Sequence, residues 1–329
     1  MNYAIQEAFW HGESDWEATR SGFGRGLVQA GKEDQNIVAL CADLTDSVQM
    51  RGFADTFPKR FVQMGVAEQN LVTVASGMAR AGKIPFAGSY AAFSPGRNWE
   101  QIRTTICLND MPVKIVGSHA GLNVGPDGAT HQMLEDIALM RSLPNMVVIA
   151  PGDAIEAEKA TRMVATAKQP TYLRLARDKS PIFSETHSPF QIGKAYVVRE
   201  GHDATLLGTG TMTAQLLLAA AKLAHKGIQC EVVHVPTIKP LDTETILASV
   251  KKTGRAITAE EAQIAGGFGG AIAELLGESL PTPLKRLGVQ DRFGESGSAE
   301  QLLDHFGLTS EKMAPMIASF VRRVPKYHQ

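Results

Sequence analysis

Residues 36–43 read Asn36-Ile37-Val38-Ala39-Leu40-Cys41-Ala42-Asp43, a continuous apolar run that stops at a carboxylate. A short run with no alternating polar positions is the pattern of a strand buried on both faces, as in a parallel sheet. Asp43 then stands at the strand's carboxyl end. Working outward, the pattern repeats: strand 60–64, an apolar helix 69–81 that stops at Gly82, strand 84–87, helix 98–108 and strand 113–117. A loop, helix 134–140, strand 146–150, helix 154–167 and strand 171–174 follow. Strands alternating with helices of this size predict an α/β fold with a doubly wound parallel sheet. Upstream, Ser14-Asp15-Trp16-Glu17 offers an N-cap with Glu three residues on, and apolar spacing through Phe23, Leu27 and Val28 to Gly31 predicts a helix of about four turns.

Around 181–189 the pattern lapses into Ser, Thr, His and Pro, the composition of an interdomain linker. A second alternating set follows: strand 204–207, helix 213–225, strand 230–235, helix 243–252 and strand 255–258. Helix 267–276, strand 285–289, a helix after Ala299 and a tail helix 310–321 complete it. The expected organisation is an N-terminal arm (1–13), an α/β domain (14–183), a linker (184–190) and a smaller α/β domain (191–329).

Composition narrows the function. A hydrophobic fraction of 44% and a net charge of -1 give no basic excess to attract nucleic acid or an anionic membrane. No apolar run reaches the length of a membrane span. Cys41, Cys107 and Cys230 lie far apart, with no C-x-x-C, which predicts neither disulfides nor a metal site and fits a reducing cytoplasm. Gly208-Thr209-Gly210 and Gly266-Gly267-Phe268-Gly269-Gly270 lack dinucleotide-fingerprint spacing, and no P-loop occurs.

Two runs remain. Gly65-Val66-Ala67-Glu68-Gln69 places Glu68 after a strand and at the start of an apolar helix. By position alone it is an acid that complements the helix dipole. Gly125-Pro126-Asp127-Gly128-Ala129-Thr130-His131-Gln132 is by itself a good polar turn. Their joint occurrence changes both readings. Ala42-Asp43-Leu44 with Ser47, then the Glu68 run, then Phe86, Tyr90 and Phe93, then Ser118-His119 ahead of the His131 loop, resemble transketolase in order and spacing. The resemblance extends from about residue 17 to the C-terminus and covers that family's pyrimidine-binding and C-terminal domains. Deoxyxylulose-phosphate synthase shares several of these motifs, and the beta subunit of 2-oxo-acid dehydrogenases shares them more loosely. The family's diphosphate-binding signature, Gly-Asp-Gly with a downstream Asn, has no convincing match, so the chain is similar to the C-terminal half of a split transketolase.

The resemblance implies thiamine diphosphate as cofactor, its pyrimidine end bound here and its divalent metal held by an N-terminal partner subunit. It implies sugar-phosphate substrates, transfer of a two-carbon ketol unit from a ketose phosphate to an aldose phosphate, and a dimer of heterodimers. Glu68 would hydrogen-bond the aminopyrimidine N1′, because a carboxyl group in an apolar pocket can share a proton with a weakly basic ring nitrogen. Phe93 would form the aromatic wall; Phe86 and Tyr90 join it or belong to the sheet core. His119 and His131 match contacts to the donor hydroxyls, and Asp127 matches the acid that reads the next one. Ser47 and Arg177 match phosphate-end contacts, with Arg174 the alternative arginine. Asp43 matches an acid near the cofactor, and Arg97 either contacts phosphate or pairs at a helix start. Two other readings are a 2-oxo-acid dehydrogenase beta subunit and a non-catalytic regulatory subunit of the same fold. The polyol-reading loop argues against the first, and retention of Glu68 against the second.

Overall fold

A computed structural model describes residues 3–327. The first part of the chain contributes β1 (Trp16–Glu17), β2 (Ile37–Cys41), β3 (Phe61–Gln63), β4 (Ile84–Tyr90), β5 (Lys114–Ser118), β6 (Val147–Ile149), β7 (Thr171–Arg174) and β8 (Ser180–Pro181). The remainder contributes β9 (Tyr196–Arg199), β10 (Ala204–Gly208), β11 (Cys230–His234), β12 (Thr237–Lys239), β13 (Ala256–Gln263) and β14 (Leu284–Val289). A seven-stranded sheet runs β12-β6-β7-β5-β4-β2-β3, and a five-stranded sheet runs β14-β13-β10-β11-β9. Both are parallel except at one edge, where β12 and β9 pair antiparallel with β6 and β11. The α/β class and the doubly wound arrangement agree with the sequence reading.

The uniformly apolar β2 is buried along its whole length because helices cover both faces of its sheet. Leu40 and Ala87 face one apolar cluster, together with Leu71 and Val72 of the helix Glu68–Arg80. Ala39, Cys41 and Phe86 face the other, with Phe23 and Leu27 of the helix Thr19–Glu33. The first of these clusters also contains Val233, Val235 and Phe268, so the two units share apolar core.

The structure changes three local readings. The helix expected from Ser14 begins at Thr19, and Trp16–Glu17 instead pair with Ser180–Pro181. The Thr19 hydroxyl accepts from the Ala176 N–H at 2.8 Å, a tertiary bond that outweighs the local capping pattern. Strands β9 and β12 have no counterpart in the apolar pattern; each is short and sits at a sheet edge, and β12 adds to the first sheet although it belongs to the second unit's sequence. The passage at 184–190, which we retain as the proposed boundary, is pinned rather than loose. The Asp153 carboxylate accepts from the Phe183 and Ser184 N–H groups at 3.0 and 2.7 Å, and Lys159 donates to the Glu185 and Ser188 carbonyls. The N-terminal arm is docked too: Tyr3 and Phe9 are buried against Phe183, and only Met1 and Asn2 of the arm lie outside the described residues.

Within β5, Lys114 is fully buried and donates to the Ala167 and Gln169 carbonyls at 2.7 and 2.8 Å. Desolvation pushes its ammonium down to about 7. Between that value and the unfolded-state value near 10.5 the unfolded chain binds the extra proton, so stability rises with pH across this window. Urea titrations of the wild type at about pH 7 and pH 10 should show that rise. The Lys114→Met variant is expected to flatten it.

Candidate active site

The order of β2 and its neighbours sets the location. From β2 the chain crosses to β3 on one side, then returns to β4 on the other, so the carboxyl ends of β2 and β4 diverge at a topological switch point, where open α/β sheets bind ligands. Asp43 follows β2, Tyr90 ends β4, and Ser118 ends β5 with His119 directly after it. Asp43 and His119 have φ of 59° and 57°, the left-handed region that a side chain other than glycine occupies at a cost. Both costs fall on the edge that carries the motifs.

Glu68 is the first residue of the helix Glu68–Arg80 and is 4% exposed. Among the described residues its carboxylate makes one long contact, to Arg97 Nη1 at 3.4 Å. Asn98, itself buried, donates to the Glu68 carbonyl at 2.8 Å and fixes the helix start. The Arg97 guanidinium lies over the Phe93 ring at 4.5 Å. Phe93 meets His131 edge-on at 5.4 Å, and Tyr90 stacks on His119 with ring centroids 3.8 Å apart. Residues 68, 90, 93, 97, 119 and 131, scattered in sequence, thus converge.

His119 is 2% exposed, and its Nδ1 shares a hydrogen bond with Ser118 Oγ at 3.0 Å. Burial first, then the positive charge of Arg20 and Arg177 and the nearby His131, pushes its imidazole down to about 3. It is therefore neutral at ordinary pH. His131 Nδ1 pairs with Thr130 Oγ1 at 2.9 Å. Asp127 is exposed on the same loop, whose Leu122–Asp127 turn is tied down by Gln132 Nε2 donating to the Gly125 carbonyl at 3.2 Å and the Glu295 carbonyl at 2.9 Å.

Two sequence-based assignments do not fit. Phe86 lies in the middle of β4, fully buried, its ring 6.4 Å from that of Phe23, so it is sheet core and not a site wall. Arg174 is committed elsewhere: its Nε donates to Asp136 at 2.8 Å and its Nη2 to the Glu261 carbonyl at 2.9 Å. Arg177 borders the edge instead, beside a residue that no local motif marks. Arg20 donates through Nη1 to the Ser47 carbonyl at 2.6 Å and through Nε to the Arg177 carbonyl at 3.0 Å. It joins the two expected phosphate-end residues. A cleft of about 340 Å³ lies between Arg20, Asn123, Gly125, Arg177 and Ser298. Burial, with Arg177 close by, pushes the Arg20 guanidinium down from its ordinary value, an imbalance that an anion would relieve.

Comparison with known proteins bears on this arrangement. Residues 17–181 match the transketolase pyrimidine-binding domain and residues 193–313 the transketolase C-terminal domain. The chain belongs to the transketolase family. A putative transketolase C-terminal section from Methanocaldococcus jannaschii is 42% identical over 94% of this chain and 98% of its own length. A 6-deoxy-6-sulfo-D-fructose transketolase subunit from a Clostridium species is also 42% identical, over 87% of this chain and 89% of its own. A solved structure described as a split gene transketolase, inactive beta4 tetramer, superposes with a TM-score of 0.87 at 42% identity, covering 93% of this chain and 98% of that one. In this transketolase chain, among the described residues, no His, Cys, Asp and Glu side chains cluster as a metal site, and no helix is long and apolar enough to cross a membrane.

Proposed function

We propose that this chain is the C-terminal subunit of a two-chain, thiamine-diphosphate-dependent transketolase that moves a two-carbon ketol unit from a ketose phosphate to an aldose phosphate. The observation that carries this reading is the convergence of a nearly unpaired, buried Glu68 with Phe93, Tyr90, His119 and His131 at the switch point. These residues fit the pyrimidine end of the cofactor: a buried carboxyl group wants a hydrogen-bonding partner, and aromatic side chains stand next to it. Bound there, thiamine diphosphate supplies the electron sink for cleaving a carbon–carbon bond beside a carbonyl.

The chain's own residues then divide the work. Glu68 holds a proton against the pyrimidine ring nitrogen, and Phe93 with Tyr90 offers apolar surface to the ring. Asp43, exposed at the end of β2, stands at the cofactor side of the edge. His119, neutral at working pH, hydrogen-bonds a donor hydroxyl, and His131 contacts the donor from the facing loop. Asp127 reads the next hydroxyl. Ser47, Arg20 and Arg177 form the phosphate end, since two guanidinium groups suit a phosphate dianion. The diphosphate and its divalent metal belong to an N-terminal partner subunit, and paired active sites call for a dimer of heterodimers. That the related split chain is described as an inactive β4 tetramer supports a need for such a partner.

Alanine at His119 or His131 tests the division of labour. In the assembled complex, donor turnover is expected to fall about 100-fold. Cofactor affinity, measured by titration, is expected to change by less than about threefold, because an imidazole lost from the sugar side leaves the Glu68 contact intact. The reverse ranking would contradict the assignment.

A further inference from the structure

We propose that Glu261, which enters from the second unit, is a positioning residue for donor recognition: by holding Asn123 it fixes the histidine loop and Arg177 relative to each other. The proposal rests on the donor-site reading above. Glu261 lies in β13 and is 3% exposed. Its Oε1 accepts from the Asn123 backbone N–H at 2.5 Å, and its Oε2 from Asn123 Nδ2 at 3.1 Å and Thr211 Oγ1 at 3.4 Å. Asn123 Oδ1 in turn accepts from the Arg177 N–H at 2.8 Å. The link closes on itself, because Arg177 Nη1 donates to the Val124 carbonyl at 2.6 Å. Asn123 and Val124 belong to the Leu122–Asp127 turn, so the same residues begin the loop that carries Asp127 and His131.

The chemistry calls for a carboxylate. Three donors converge on its two oxygens, and an amide would turn an N–H toward donors that need an acceptor. Burying an ionised carboxyl group is costly unless it is paired and hydrogen-bonded. Here its own backbone carbonyl accepts from Arg174, which places a cation beside it. Close approach also depends on Gly121, at φ 89°, where a Cβ would lie 2.6 Å from Glu261 Oε1. Two of the three hydrogen bonds that the Glu261 carboxylate accepts come from the histidine loop and only one from its own unit, so the carboxylate orients the loop more than it consolidates the second unit's core.

The test uses the assembled two-chain complex with thiamine diphosphate and magnesium. Glu261→Gln is expected to raise the donor KM by about tenfold to 100-fold, the upper end being what a misplacement of about 1 Å costs. It should also erode discrimination between ketose phosphates epimeric at the hydroxyl assigned to Asp127, while C2 proton exchange of the cofactor stays at the wild-type rate. Asn123→Ala attacks the same link from the other end and should give the same signature; it decides the matter if Glu261→Gln does not fold. A folded variant with unchanged donor KM and epimer ratio overturns the proposal, and so does a parallel loss of C2 exchange, which marks general damage. Absence of C2 exchange in the wild-type complex is a different result, since it overturns the cofactor reading itself.

Discussion

Replacing Glu68 by glutamine in the assembled complex is expected to reduce cofactor C2 proton exchange, and ketol transfer with it, by about 10³-fold, within the range that a positioned acid or base contributes. The substitution preserves volume and leaves the backbone carbonyl that receives Asn98 untouched. Folding and cofactor affinity should therefore change little. What is lost is a group able to hold a proton against the pyrimidine nitrogen, since an amide offers N–H or carbonyl but no exchangeable acid. Exchange can be followed by isotope wash-out, with thermal unfolding as a control. A normal exchange rate in a folded Glu68→Gln complex would remove Glu68 from this role, whereas loss of cofactor binding would place it in affinity rather than activation.

The purified chain by itself is expected to show no ketol transfer at any concentration of thiamine diphosphate and magnesium, and to gain activity only when a diphosphate-binding polypeptide is added. The reason is electrostatic. A diphosphate needs either a metal held by carboxylate and amide oxygens or a cradle of cations, and among the described residues no acidic cluster that could hold a metal occurs. Arg20 and Arg177 are two guanidinium groups, but they sit on the histidine side beside Asn123, at the end we propose for the sugar phosphate. Full activity of this chain alone would sink the two-subunit reading. Reconstitution by mixing, monitored by a coupled aldose-phosphate assay and by native mass, separates a missing partner from a misfolded chain.

The motifs themselves were legible without coordinates. Glu68, Phe93, His119 and His131 follow from the resemblance to the transketolase motifs, and they converge because each follows a parallel strand whose carboxyl end faces the same way. The aromatic assignments were less legible. Phe86 and Tyr90 are four residues apart on one strand and so share a face, but four residues span roughly 13 Å. Only Tyr90, at the strand's end, can reach the edge, and strand ends are the least certain feature of a pattern. Arg174 and Arg177 differ for a similar reason. Arg174 is still in β7, where it meets Asp136 across the layer, and Arg177 is beyond it.

The sequence alone determined the alternation of apolar strands and helices and the two α/β units, since these depend on periodicity, and its resemblance to the transketolase motifs pointed to the residues of the site. Tertiary structure decided what depends on pairs far apart in the chain. It started the first helix at Thr19 through a bond from Ala176, and it brought Arg20 between Ser47 and Arg177. It placed Glu261 of the second unit under Asn123 of the first. Such contacts leave no local signature, because a buried hydrogen bond is specified by both ends at once and the chain between them can have almost any sequence.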